Sequence, residues 1–283
     1  MVSNKTDKLK RRARSLIAQL DRALRRILFG PRVKTIPCSN LVHLGSSYGG
    51  WSFLDDAQLH GSVVISGGLG EDASFDVEFA ARYGAHICIV DPTPRAIAHF
   101  EAMMGRMGNP ASVGYGPTGS QPLAAYELEQ TSTTQFQLVP KALTDHEGVV
   151  RLYAPPDPQH VSYSILNFQN AYSREGAWIE VPSVDVVSLV ESMTPPGVIL
   201  LKLDIEGAES IVIPRLLGSG VKLPNQVLIE FDELNVPSRR STRSFYRLHS
   251  RMLEAGYVPV FWDRRSCLSY ALFHNSTRGN QNV

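Results

Sequence analysis

Two acidic strand ends and a glycine turn hold the residues of this 283-residue sequence whose types and spacing suit chemistry. From Val198 to Glu209, Lys202 interrupts an apolar run and Asp204, Glu206 and Glu209 follow it. A lysine in such surroundings is costly to bury without a partner. Strand alternation puts Lys202 and Asp204 on one face, and Asp204 falls at the carboxyl end, the edge where open α/β sheets bind ligands. If a helix starts at Gly207, Glu206 and Glu209 face the same way. Gln226 to Glu233 repeats the theme, an apolar run leading into Glu230, Asp232 and Glu233. On neighbouring strands Asp204 and Glu230 would lie side by side. Two such carboxylates could bind Mg²⁺ through oxygen ligands, or one could keep a raised pKa and act as a base. A purely structural ion pair of Lys202 with Glu230 is the alternative.

Upstream, Val63 to Ser66 reads as a buried strand entering a turn with Gly67, Gly68 and Gly70, and Glu71 to Asp76 opens a helix. Glycines there permit positive φ and close approach of a ligand to the backbone. The next strand ends at Asp91, where an acidic side chain can accept both hydroxyls of an adenosine ribose. The spacing Gly68-x-Gly70-x-x-Ala73 also satisfies the dinucleotide fingerprint, so an NAD(P)-dependent oxidoreductase competes. Glu71 and Asp72 weigh against it: they occupy the helix N-terminus on which a dinucleotide enzyme seats its pyrophosphate, and two carboxylates repel a diphosphate. S-adenosylmethionine (SAM) carries a sulfonium and an ammonium instead, which acidic neighbours tolerate or help. Complementing the helix dipole is the alternative role for these two residues.

The elements that must position these groups follow a βαβ rhythm from Ser62 onward. Candidate strands are Val63–Ser66, His86–Val90, Phe136–Pro140, Ile199–Asp204, Gln226–Phe231, Tyr257–Trp262 and Leu268–Phe273, enough for one doubly wound sheet. Two stretches interrupt the rhythm. Gly105 to Thr134, rich in Gly, Pro, Ser and Thr, reads as a flexible loop. Thr144 to Val184 reads as an inserted hairpin, with strands Val149–Tyr153 and Trp178–Val184. Its Ala154 to Trp178 part carries His160, Ser162, Tyr163, Ser164, Asn167 and Tyr172, hydroxyls and aromatics that suit the edges and faces of a sugar or polyol. Tyr48-Gly49-Gly50-Trp51 could cap such a pocket. A helix from about Thr242 to Ala255 carries Arg243, Arg247, His249 and Arg251, expected as a solvated face, with a phosphate site the alternative.

Residues 1–34 form a separate unit. Leu9, Ala13, Leu16, Ile17, Leu20, Leu24, Ile27 and Leu28 recur at helical spacing among arginines, and Gly30-Pro31 ends the pattern. This basic amphipathic helix, over residues 8–29, suits a membrane surface or a partner; packing on its own domain is the alternative. The segment holds eleven Lys/Arg against Asp7 and Asp21, leaving residues 35–283 with seventeen basic and twenty-five acidic residues. An acidic body makes specific nucleic-acid binding unexpected. Three scattered cysteines without a CxxC exclude a disulfide scaffold and a cysteine zinc site. No apolar run approaches the ~20 residues of a bilayer-spanning helix, and no signal core opens the chain, so a cytoplasmic protein is expected, peripheral at most to a membrane.

At this point a resemblance becomes specific. LKLDIEGAE (Leu201 to Glu209) resembles the signature of the FkbM-type SAM-dependent methyltransferases, and SGGLGEDASFD (Ser66 to Asp76) with IVDPTP (Ile89 to Pro94) resembles a branch of them. LGSSYGGW (Leu44 to Trp51), VPKALTDHEG (Val139 to Gly148) and HVSYSI (His160 to Ile165) echo it in order. The commoner family pattern has D-x-G-A-x-x-G where this chain has Ser66 to Gly70. The resemblance implies a Rossmann-like class I methyltransferase fold, with a seven-stranded mostly parallel sheet, an inserted hairpin and an N-terminal helix. It implies that Gly67, Gly68, Gly70, Glu71, Asp72, Pro92, Thr93 and Ala142 surround SAM, that Asp91 holds its ribose and that Asp204 lies beside the methyl group. The expected reaction is O-methylation of a sugar, glycolipid or related metabolite. Asp204, Glu206 or His160 would take the hydroxyl proton, Lys202 would orient Asp204, Glu230 would assist, and Trp51, His160, Ser162 and Tyr163 would contact the acceptor. Mg²⁺ at Asp204 and Glu230 is a further possibility. A methyltransferase fold kept only as a binding module is the non-enzymatic alternative.

Overall fold

A computed structural model describes residues 19–155, 163–166, 176–193 and 197–273. All seven expected strands form: β3 (Val63–Gly67), β4 (His86–Val90), β5 (Phe136–Val139), β9 (Val198–Leu203), β10 (Gln226–Glu230), β11 (Tyr257–Trp262) and β12 (Cys267–Leu272). They build one sheet in the order β11-β12-β10-β9-β3-β4-β5. From β10 to β5 every neighbour is parallel, and only β12 runs against the others. The chain thus reverses direction across the sheet between β3 and β9, where doubly wound folds open a crevice.

Alternation along these strands fills two cores. Ile65, Cys88, Val90, Leu201, Leu203, Val227 and Ile229 point to the face covered by α4 (Val186–Ser192), α5 (Glu209–Leu217) and α6 (Arg239–Glu254). Val64, Ile87, Ile89, Leu200 and Leu228 point to the other, under α2 (Ser74–Tyr83) and α3 (Pro94–Met104). Strands buried on both faces read as near-continuous apolar runs, which is why they were legible.

Among the described residues, five strands lie outside that sheet. β1 (Leu41–Leu44) and β2 (Trp51–Leu54) form a hairpin ahead of it. In the insert, β7 (Gly148–Tyr153) pairs antiparallel with β8 (Trp178–Asp185) as expected, and β6 (Ala142–Thr144) adds a parallel edge. The stretch 105–134 is not the flexible loop its composition suggests: Tyr126 and Leu128 are fully buried, and the Tyr126 hydroxyl accepts from Ala73 N at 2.9 Å. Two buried anchors outweigh a permissive composition.

Residues 19–29 are helical (α1). Its apolar stripe does not pack on the body: Leu20, Leu24, Ile27 and Leu28 are 55 to 76% exposed. The end of the helix is tied to the body. Thr242 Oγ1 donates to Phe29 O, Arg32 N to the Tyr246 hydroxyl at 2.8 Å, and Ile36 N to Pro259 O at 3.0 Å. No helix among the described residues is long and apolar enough to cross a membrane.

Candidate active site

A cavity of about 880 Å³ opens at the carboxyl ends of β3, β4, β9 and β10, the edge predicted from Asp204. The glycine turn is one wall. Gly68 has φ +82° and Gly70 φ +55°, values a side chain disfavours. A Cβ on Gly68 would fall 1.8 Å from Asp204 O, so the turn packs directly on the strand end that carries Asp204. Gly67 sits behind the wall against Ile205 and does not line the cavity.

Asp91 stands where the sequence placed it, with a different engagement. Its Oδ2 accepts from Leu69 N (2.9 Å) and Gly70 N (3.1 Å), and its Oδ1 from Thr93 N (2.8 Å) and Thr93 Oγ1 (2.7 Å). Four donors fill about the four acceptor sites a carboxylate offers. Asp91 therefore staples the glycine turn to the end of β4, and a ribose would have to displace some of these donors. Glu71 is not the bare anion assumed from its position. Arg95 grips it through two hydrogen bonds, of 2.9 and 2.7 Å. Burial pushes the Glu71 pKa up, but hydrogen bonds from Arg95 and Ser120 outweigh that and leave it below the ordinary value. Asp72 accepts from Ser46 Oγ (2.6 Å), Ser74 N (2.9 Å) and Gln121 Nε2 (3.2 Å), clamping the β1–β2 turn to the start of α2. Their repulsion of a diphosphate is weaker than their charges alone suggest, because Arg95 neutralises one of them.

Lys202 is 4% exposed. Its Nζ donates to Gly68 O and lies 5.8 Å from the centre of the Trp51 ring. Its charge holds down the pKa of the buried Asp76 and the half-buried Asp204, although desolvation raises both on balance. No ion pair joins Lys202 to Glu230 among the described residues.

Asp204 and Glu230 do meet, because Leu203 of β9 pairs with Ile229 of β10. Asp232 joins them from the turn after β10, a residue the sequence reading left out of the site because it lies beyond the strand; its signal was the acidic run Glu230 to Glu233. Burial, then the charge of Asp204, raises Glu230 to about 8. Burial and the charges of Glu206, Glu230 and Asp204 lift Asp232 well above the carboxylate range. Glu206 lines the cavity from a left-handed backbone position (φ +51°), held by Ser164 Oγ donating to its carbonyl. Glu209 does not line the cavity with it: α5 starts at Glu209 rather than Gly207, and the Glu209 carboxylate turns back to accept from Ile205 N at 3.1 Å.

Tyr48 to Trp51, Glu71, Asp72, Pro92, Thr93, Ala142 and Tyr163 also line the cavity. His160, Ser162, Asn167 and Tyr172 lie outside the described residues. His249, expected on a solvated face, instead stacks on Phe245 and bonds the Tyr270 hydroxyl at 2.8 Å.

A family model described as the Methyltransferase FkbM domain matches residues 72–259, about two thirds of the chain. The chain belongs to the FkbM methyltransferase family. Its sheet is the Rossmann-like methyltransferase sheet expected from the sequence. Among solved structures, the crystal structure of Methyltransferase FkbM from Methylobacillus flagellatus KT matches at 11% identity and a TM-score of 0.39. That match covers 75% of this chain and 44% of the other, so the chain spans less than half the length of that relative. No curated protein matches.

Proposed function

We propose that the FkbM chain is a SAM-dependent O-methyltransferase acting on a hydroxyl of a sugar, glycolipid or related metabolite. The observation that carries this reading is the glycine turn seated on Asp204 in a cavity rich in carboxylates. Such a wall leaves no room for side chains between ligand and backbone, and its acidic surroundings suit a ligand bearing a sulfonium and an ammonium. Gly68, Leu69, Gly70, Thr93 and Ala142 would hold the cofactor.

Bound SAM supplies an electrophilic methyl on a positively charged sulfur. The residues of the chain do the rest. The cavity walls fix the acceptor oxygen in line, from which most of an acceleration can come. A carboxylate at the β9 and β10 ends, Asp204, Glu206 or Glu230, takes the proton as the hydroxyl becomes a methyl ether. Lys202 stays bonded to Gly68, and its charge favours the anionic form of Asp204 against the effect of burial. A positioned base typically contributes ~10²- to 10⁴-fold. Tyr163 and Trp51 form acceptor-side walls.

Thermal unfolding with SAM, S-adenosylhomocysteine, NAD or NADP tests this reading. Near 100 times its dissociation constant, a true ligand adds ~2.7 kcal/mol and raises the midpoint of a domain this size by roughly 5–10 °C. A shift with the two adenosyl compounds alone supports methyl transfer. A shift with NAD alone overturns it, and none with any favours a silent binding module.

A further inference from the structure

We propose that Asp204, Glu230 and Asp232 form a divalent-cation site whose open positions take two adjacent hydroxyls of the acceptor. One carboxylate oxygen from each residue lies within 4.8 Å of the other two. Oxygens sharing an ion at about 2.0–2.6 Å lie roughly 3–5 Å apart, so these three are close enough to share one. Glu230 ends β10 and Asp204 follows the end of β9 in register with it, while Asp232 opens the 3-10 turn directly after β10, so the pairing of the two strands sets the spacing of the first two. Glu230 is aimed by Ser266, whose Oγ donates to Glu230 Oε1 at 3.0 Å.

A second observation points to a ligand. Asp232 is only 9% exposed, yet its Oδ2 is buried without a hydrogen-bond partner among the described residues. A carboxylate oxygen removed from water and left unmet is costly. Lys202 does not serve it, since its ammonium is bonded to Gly68 O. A cation among the three carboxylates would complete Asp232 and relieve their mutual repulsion.

The donor set fixes the class of ion. Three carboxylates without histidine or cysteine suit hard cations, Mg²⁺, Mn²⁺ or Ca²⁺. Three protein ligands leave about three positions in a six-coordinate ion, and the residues face the cavity. Two adjacent hydroxyls can chelate there, and the ion would ease loss of the reacting proton. The metal site stands on geometry alone; the acceptor class also rests on the methyl-transfer reading above.

Mn²⁺ binding to the full chain, followed by electron paramagnetic resonance at pH 8 with S-adenosylhomocysteine present, tests the site. One Mn²⁺ per chain is expected, displaced by excess Mg²⁺. Glu230→Gln and Asp232→Asn should each weaken it at least tenfold, while both variants keep the SAM-induced rise in unfolding midpoint that shows them folded. Should Asp232→Asn fail to fold, Asp232→Glu, which keeps a carboxylate, should bind Mn²⁺ with altered affinity. No binding at millimolar Mn²⁺, or equal binding by wild type and both variants, overturns the site. Mn²⁺ binding without a SAM shift would sink the methyl-transfer reading and leave the site standing. In an acceptor screen, vicinal diols should be methylated and their deoxy analogues should not; equal methylation overturns the acceptor class.

Discussion

Lys202 shows how one residue sets the electrostatics of the site. It faces Asp76 and Asp204 through its charge, Gly68 through a hydrogen bond and Trp51 through its ring. Removing one partner of a buried charge cluster commonly costs 3–5 kcal/mol, because the opposite charge is left uncompensated. Lys202→Met should therefore lower stability by about that much in urea unfolding, and Asp76→Asn added to it should recover part of the loss. If the double variant is no more stable than the single, Asp76 is not the charge that Lys202 compensates. Gly68 gives a second prediction. Alanine there meets φ +82° and a backbone oxygen at 1.8 Å, whereas at Gly67 the nearest atom is the movable Ile205 Cγ2 at 3.0 Å. A side chain in the left-handed region alone costs ~1–2 kcal/mol. Gly68→Ala should lower the unfolding midpoint and abolish the SAM-induced shift, and Gly67→Ala should do much less; equal behaviour of the two would remove the turn from the cofactor site. Asp204 and Glu230 were legible in the sequence because parallel strands of similar length end together. The engagement of Asp91 and Glu71 was not, since spacing gives a position but not which donors fill its acceptors.

Among the elements, strands buried on both faces were readable from apolar runs, while short or composite elements were not. β1 and β2 are four residues each around Gly49-Gly50, too brief for a pattern to emerge. The packed stretch 105–134 was hidden because its anchors, Tyr126 and Leu128, are two residues among many polar ones. α4 shows a local device with a measurable consequence. Asp185 caps it, accepting from Val187 N at 3.1 Å, and also receives Arg215 of α5 at 2.7 Å. Hydrogen bonds from Arg215, then from the Val187 amide, hold the Asp185 pKa below the ordinary carboxylate value despite burial. A carboxyl whose folded pKa is depressed contributes stability that is present above its unfolded pKa of about 3.9 and lost as pH falls through the folded value. Asp185→Ala should cost about 0.5–2 kcal/mol for the cap and somewhat more for the ion pair at pH 7. The gap to wild type should narrow below about pH 4, as read from urea midpoints against pH. A gap that stays constant to pH 2 would show that the charge contributes nothing.

At the scale of the whole molecule, charge and apolar surface are segregated along the chain. Residues 1–34 carry eleven Lys/Arg against two acids, and the rest of the chain is acidic. On α1 the apolar stripe of Leu20, Leu24, Ile27 and Leu28 stays exposed, while Arg22, Arg25 and Arg26 lie on the remaining surface of the helix. The body does not cover the stripe, although it grips the chain immediately beyond, through Phe29, Arg32 and Ile36. An amphipathic helix of this kind, basic on one side and apolar on the other, matches an anionic bilayer surface, where each arginine contributes about 1 kcal/mol and the apolar face buries at the acyl boundary. Docking there is the role we assign it. Deleting residues 1–34 would confuse the test, because it also removes Val33, which packs against the core beneath α6. Leu24→Glu with Ile27→Glu leaves those contacts intact. The double variant should lose at least tenfold in partitioning to vesicles containing phosphatidylserine, keep its unfolding midpoint and keep its SAM-induced shift. Wild-type binding should also fall as salt rises, since charges separated by more than about 8 Å are screened at physiological ionic strength. Binding that is equal for wild type and variant, or equal on neutral and anionic vesicles, would refute the docking role and leave α1 to another partner.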